Sequence, residues 1–187
     1  ELFKKWFSKA SESEINDPNA VAVATSDKNY QPNVRMVLLK GLSDKGFVFY
    51  TNLNSKKGGE LKDNKKASMC FHWKSLRRQV RAIGKVEEVS PKEADDYFNS
   101  RPYKNRISAW ASSQSATLDK RETFLKNIED YEKKFPNQNN VPRPPHWSGW
   151  RLLPDEIEFW VDGEGRIHER LNYKKKNGKW VRELLYP

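Results

Sequence analysis

The stretch AVAVATSDKNYQPNVRMVLLKGLSDKGFVFYT, residues 20–51, decides the fold class. Three runs in it, Ala20 to Thr25, Val34 to Leu39 and Phe47 to Thr51, have the Val and aromatic content and the alternation of half-buried strands. The segments between them include Ser26-Asp27-Lys28-Asn29 and Ser43-Asp44-Lys45-Gly46, short polar breaks of the kind that turn a chain back on itself. Strands joined by so little chain predict an antiparallel sheet.

Working outward, Ala67 to Trp73 and Gln79 to Val89 read as further strands. Ser90-Pro91-Lys92-Glu93 then combines an N-cap Ser, Pro at the first helical position and Glu three residues after the cap, which predicts a helix to about Ser100. Phe124, Leu125, Ile128, Tyr131 and Phe135 recur at helical spacing among charged residues, so an amphipathic helix follows Asp119. Asn137 to Pro145 is a Pro-rich loop. Strands resume at Ile157 to Val161, Arg166 to Tyr173 and Trp180 to Leu185, with turns at Asp162-Gly163-Glu164-Gly165 and Asn177-Gly178. Strands first, helices in the middle and strands last, with no internal repeat or linker, predict one α+β barrel domain over residues 1–187.

A chain of 187 residues is long enough to bury one core. Its mean hydropathy is low, −0.97, but seven Trp, seven Tyr and nine Phe supply the large buried areas that a disordered chain lacks. No run approaches the roughly 20 apolar residues that span a bilayer, so no membrane partner is expected. The single Cys70 offers neither an intramolecular disulfide nor a zinc pair, and His72, His146 and His168 are too scattered for a catalytic metal. A reducing, cytoplasmic setting without a metal is expected. The net charge of +10 favours anionic partners without choosing among nucleic acids, acidic membranes and phosphorylated small molecules.

The arrangement of the cations narrows the choice. Arg35 and Lys40 lie five positions apart, roughly 17 Å along an extended strand and on opposite faces if it is regular, so they suit two anions rather than one. The plainer alternative is a buried strand with cations at its ends. If Arg166 to Arg170 alternates as a strand, Arg166, His168 and Arg170 share a face, suited to an anionic aromatic ligand or simply to solvent. Arg77, Gln79 and Arg81 share a face in the same way, with Gln79 able to donate and accept at the edge of a heterocycle. Ser55-Lys56-Lys57-Gly58-Gly59 can open a helix whose free N–H groups and lysines attract phosphate, or can be a basic turn. Gln114-Ser115, after a short helix, can hydrogen-bond a ligand or only solvent. Gly163-Glu164-Gly165 lacks the third glycine and the strand-to-helix context of a dinucleotide fingerprint, and neither a Walker loop nor a nucleophile elbow occurs.

Read in order, these segments resemble the pyridoxine 5'-phosphate oxidase family over nearly the whole chain. The resemblance rests on Arg35-Met36-Val37-Leu38-Leu39-Lys40-Gly41, Phe49-Tyr50-Thr51-Asn52, Arg78-Gln79-Val80-Arg81, Tyr97-Phe98 with Arg101-Pro102, Ala109-Trp110, Gln114-Ser115, Ile157-Glu158-Phe159-Trp160 and Arg166-Ile167-His168. It implies an antiparallel split β-barrel of the six-stranded type with flanking helices, a homodimer, and FMN held noncovalently between the subunits. It also implies oxidation of pyridoxamine or pyridoxine 5'-phosphate by O2 to pyridoxal 5'-phosphate and hydrogen peroxide. By position, Arg35, Met36, Val37, Leu38, Leu39, Lys40, Tyr50, Thr51, Lys56, Lys57, Gln79, Gln114, Ser115, Trp160 and Arg170 would contact FMN. Lys40, Tyr97, Arg101 and Asn105 would hold the substrate phosphate, and Arg166 and His168 the reacting end, as the catalytic pair.

Several positions depart from the family pattern: Asn105 stands for Ser, Lys56 for Arg, Ser108 for Gly, Glu169 for Asp and Leu184 for Arg. Lys56 keeps the charge of Arg but loses its fork, and Asn105 still donates. The first rival is a split-barrel protein that binds flavin or pyridoxal phosphate without efficient oxidase activity. The second, a basic nucleic-acid-binding module, predicts no cofactor, and no nucleic-acid motif supports it.

Overall fold

A computed structural model describes residues 1–187. The opening stretch folds as three strands and a short extra one: β1 (Ala20–Ser26), β2 (Pro32–Leu38), β3 (Gly41–Ser43) and β4 (Gly46–Asn52). In β1 the alternation is literal, with Val21, Val23 and Thr25 buried and the alanines between them turned outward. Helix α1 (Leu2–Ser13) precedes β1, while α2 (Lys56–Asp63), β5 (Lys66–Trp73) and β6 (Arg78–Glu88) follow β4. Helix α3 (Pro91–Ser100) starts where its cap signal lies, with the Ser90 hydroxyl accepting from the Glu93 amide at 3.2 Å. Then come α4 (Tyr103–Ala111), α5 (Arg121–Lys134), β7 (Trp147–Val161), β8 (Glu169–Lys176) and β9 (Lys179–Leu185).

The sheet runs β2-β1-β5-β6-β7-β4-β3, with β8 and β9 added beside the far half of β7, and every pairing is antiparallel. β2 returns against β4 without a ladder between them. The long strands β2, β1, β5, β6, β7 and β4 therefore curl into the expected six-stranded split barrel, with β3, β8 and β9 as additions. α1 sends Phe3 into the barrel, where its ring lies 4.9 Å from Phe47 and 5.0 Å from Phe71. A smaller cluster of Phe98, Ile107, Val141 and Trp147 fastens α3 and α4 to the start of β7.

Two elements differ from their expected form. β7 begins at Trp147, ten residues before the expected Ile157. Its first part is covered on both faces and carries Pro154 beside a register shift at Ile83/Gly84, so alternation is lost where the strand is most buried. The expected strand from Arg166 starts only at Glu169. Gly165 and Arg166 both adopt left-handed backbone, with φ of 62° and 64°, so Arg166, His168 and Arg170 do not form one strand face. Arg77 is likewise a turn residue, with φ of 52°, and does not extend the face of Gln79 and Arg81.

Candidate active site

A cavity of about 810 Å³ opens where β2, β4, the start of α2 and the α3–α4 pair meet. The helix α2 is entered through a tight corner: the Ser55 hydroxyl accepts from the Gly58 amide at 3.3 Å, and a Cβ at Gly58 would lie 2.3 Å from the Leu53 carbonyl oxygen. Gly58→Ala is therefore expected to cost about 1–3 kcal/mol and to displace the start of α2, read as a lower Tm with weaker anion binding. The first turn carries Lys56 and Lys57 and no acid, although a helix N-terminus favours negative charge. This arrangement is unfavourable until an anion sits there.

Lys57 is buried, donating to Thr51 Oγ1 at 2.5 Å and Gln114 Oε1 at 3.2 Å, with no carboxylate in ion-pair contact. Burial, then the charge of Arg35, pulls its ammonium down to about 8. Arg35 has a partner: its guanidinium reaches Glu60 Oε2 at 3.0 Å and the Val23 carbonyl at 3.2 Å. Burial pushes the Glu60 carboxyl up, but hydrogen bonds from Thr25, Asn33 and Arg35 outweigh it and hold Glu60 below the usual carboxylate range.

On the α3–α4 side Arg101 presents a different environment. Its guanidinium lies 4.8 Å over the Trp147 ring, burial lowers its proton affinity, and the buried NH1 has no hydrogen-bond partner. Tyr50 stacks on Tyr97 at 4.0 Å and on Trp147 at 5.3 Å. Burial, followed by the charge of Glu93, raises the Tyr50 phenol to about 12, so it stays a neutral donor. The cavity thus holds two sets of cations, one at the start of α2 and one on the α3–α4 side, where Arg101 lacks a counter-charge.

Fourteen of the expected site residues line this cavity: Arg35, Met36, Val37, Leu38, Lys40, Tyr50, Thr51, Lys56, Lys57, Tyr97, Arg101, Asn105, Gln114 and Ser115. Arg35 and Lys40 were expected on opposite faces. β2 ends at Leu38, the alternation stops there, and both reach the same cavity. Leu39 turns its side chain into the core. Gln79, Trp160 and Arg170 instead form a cross-strand row on β6, β7 and β8, with the His168 ring 4.6 Å from Trp160 and Arg166 in the adjoining turn. Within one chain this second cluster does not line the cavity.

Comparison with known proteins interprets the two clusters. Residues 7–135, which carry every cavity-lining residue except Trp147, match the model of the family described as pyridoxamine 5'-phosphate oxidase. The chain belongs to that family. Residues 147–187 match the pyridoxine 5'-phosphate oxidase C-terminal dimerisation region, so β7–β9 and all of the second cluster except Gln79 lie in the segment the family uses for dimerisation. A pyridoxine/pyridoxamine 5'-phosphate oxidase from Pelagibacter ubique is 61% identical over the whole chain and 90% of its own length. The protein of that name from Agrobacterium fabrum is 54% identical over the whole chain and 91% of its own. Among solved structures, PhzG from Burkholderia lata, in complex with tetrahydrophenazine-1-carboxylic acid, superposes with a TM-score of 0.94 at 29% identity, covering the whole chain and 91% of PhzG.

Within this oxidase-family frame, residues outside the expected set also matter. Glu60 holds Arg35, Trp147 carries Arg101, and Glu158, buried, binds Arg170 Nε at 2.8 Å and NH2 at 3.1 Å as well as Arg81. Glu60 had a local signal, four residues after Lys56 on a helix, and Glu158 stood in the Ile157-Glu158-Phe159-Trp160 motif, whereas Trp147 had none. No helix is long and apolar enough to cross a membrane.

Proposed function

We propose that the chain is an FMN-dependent oxidase converting pyridoxamine or pyridoxine 5'-phosphate, with O2, to pyridoxal 5'-phosphate and hydrogen peroxide, with ammonia released from the amine. The observation that carries this reading is the pairing, in one cavity, of a lysine-bearing helix start with a separate half-buried arginine whose buried NH1 has no partner. A phosphate-bearing cofactor and a phosphate-bearing substrate match the two, and the names of the relatives match that chemistry.

The donors around α2 fit the FMN phosphate: Arg35, Lys56 and Lys57, with Thr51, Gln114 and Ser115. Met36 to Leu38 and Tyr50 would run along the ring system, with Leu39 able to contribute only backbone, and Gln79, Trp160 and Arg170 would meet it from a second copy. Bound FMN supplies the capacity to accept two electrons and return them to O2. Lys40, Tyr97, Arg101 and Asn105 hold the substrate phosphate and thereby set the distance of the reacting carbon. Arg166 and His168 are the catalytic pair: both bind and align the reacting end, and Arg166 assists the proton that leaves the amine or hydroxyl. If Arg166→Ala turns over at the wild-type rate with saturating substrate, that catalytic role is excluded.

The same reading includes a homodimer with FMN at the interface, which the dimerisation-region match and two features of the geometry support. The second cluster does not line the cavity of its own chain and would meet it from a second copy, and Val34 and Met36, which line the cavity, are 64% and 62% exposed. Sedimentation of an active FMN-loaded monomer would remove this part of the reading. A cytoplasmic setting belongs to the same reading and is supported by the one free cysteine.

The depressed Lys57 sets a pH dependence. Below about 8 the empty site holds a charged ammonium; above it, binding an anion requires proton uptake, and affinity falls by up to tenfold per pH unit. Because the unfolded chain keeps that proton up to its ordinary 10.5, stability of the empty protein rises between these two values. Titration of FMN into apoprotein in buffers of different ionisation enthalpy is expected to show proton uptake above 8, abolished in Lys57→Met. The function itself is tested by aerobic assay of FMN-loaded protein with pyridoxamine 5'-phosphate. Matching yields of aldehyde and peroxide support an oxidase; bound flavin without product points to the non-catalytic flavin binder.

A further inference from the structure

The turn between β7 and β8 holds His168 by one nitrogen only. The Gly163 amide points at Nδ1 from 3.2 Å, and Asp162 Oδ1 lies 3.1 Å from the same atom. Asp162 is itself fixed, because its amide donates to the Arg77 carbonyl at 3.0 Å and its other carboxylate oxygen pairs with the Arg77 guanidinium. Gly163 is constrained too: a Cβ there would lie 1.9 Å from the Ile167 carbonyl oxygen. The Trp160 ring lies against the imidazole at 4.6 Å, and the His168 amide closes the turn onto the Arg166 carbonyl at 2.9 Å.

The amide and the carboxylate make incompatible demands on Nδ1. An amide donor needs the lone pair, so the neutral ring carries its proton on Nε2. A carboxylate acceptor needs N–H, so the protonated ring turns Nδ1–H toward Asp162, which balances its charge. Nδ1 is the anchored atom in both states, and Nε2 carries a proton in both.

We propose that Asp162 is a positioning residue which, with the Gly163 amide, seats His168 by Nδ1 so that Nε2–H is offered to the ligand as a standing hydrogen-bond donor and not as a base. This rests on the reading above that His168 meets the substrate. It implies that the ligand atom facing His168 is an acceptor, such as an oxygen substituent on the ring of a phosphorylated pyridine, and that the proton lost in oxidation goes to another group.

The test uses ¹⁵N-labelled, FMN-loaded protein. Long-range ¹H–¹⁵N spectra of the histidine rings at alkaline pH, assigned with His168→Gln, are expected to show protonated Nε2 and unprotonated Nδ1. A neutral ring protonated at Nδ1 overturns the proposal. With pyridoxamine 5'-phosphate, His168→Gln, which keeps a donor near the Nε2 position, should retain far more of kcat than His168→Ala; equal losses overturn the donor role. Asp162→Ala should lower kcat about tenfold, the loss expected of one hydrogen bond to a charged group, and should broaden the His168 ring signals at unchanged FMN content. Asp162→Asn should restore most of both. If Asp162→Ala changes neither ring signals nor kcat while His168→Ala is impaired, the seat is wrong and the functional reading stands. If His168→Ala is itself fully active, the functional assignment of His168 fails first.

Discussion

Arg35→Ala is expected to lose both FMN and fold stability, for two separable reasons. The first is direct, since a cofactor phosphate would lose one of its cations. The second is internal: Glu60 is 4% exposed and depends on Arg35 for its counter-charge. Removing one partner of a buried pair strands the other, at a cost of about 3 kcal/mol. For a chain of this size that is a fall in Tm of roughly 10 °C. The double variant Arg35→Ala/Glu60→Gln separates the two effects: thermal stability should largely return because no charge is stranded, while FMN retention should not. Calorimetry and flavin absorbance of the same samples read both. If the double variant is as unstable as the single one, the Glu60 ion pair does not account for the loss.

Arg101→Ala should behave in the opposite way. The half-buried guanidinium lies over Trp147 with its buried NH1 unpartnered, so the protein without ligand bears its desolvation without the benefit of a carboxylate. Stability should change by no more than about 1 kcal/mol, as lost cation–π contact offsets relieved burial. The effect should fall on the substrate. KM for pyridoxamine 5'-phosphate is expected to rise about 100-fold, the scale of losing a desolvated charge pair, with kcat reduced much less. FMN content should be unchanged, because the cofactor phosphate uses the other cations. Steady-state kinetics beside flavin quantitation decide this, and an unchanged KM would detach Arg101 from the substrate phosphate.

Much of the molecule was legible in the chain because the signals are local. The alternation of Val21, Val23 and Thr25, the Ser90 cap with its Pro and Glu, and the Asn177-Gly178 turn each act within a few residues, and each stands as expected. The ordered motifs from Arg35 to His168 likewise pointed to the oxidase family. What the chain by itself determined was therefore the antiparallel α+β class, the family and the roster of candidate ligands. Only the tertiary structure decided their grouping. Lys57 and Gln114 are far apart in the chain yet in hydrogen-bond contact, and Glu60, Trp147 and Asp162 matter through the cations or imidazole they hold. The first ten residues of β7 escaped notice because burial on both faces removes alternation, and the Arg166 turn because left-handed backbone at a non-glycine residue has no composition signal. Periodicity reports which face of an element is buried; which elements then meet is set by the packing of the whole core, which no local window contains.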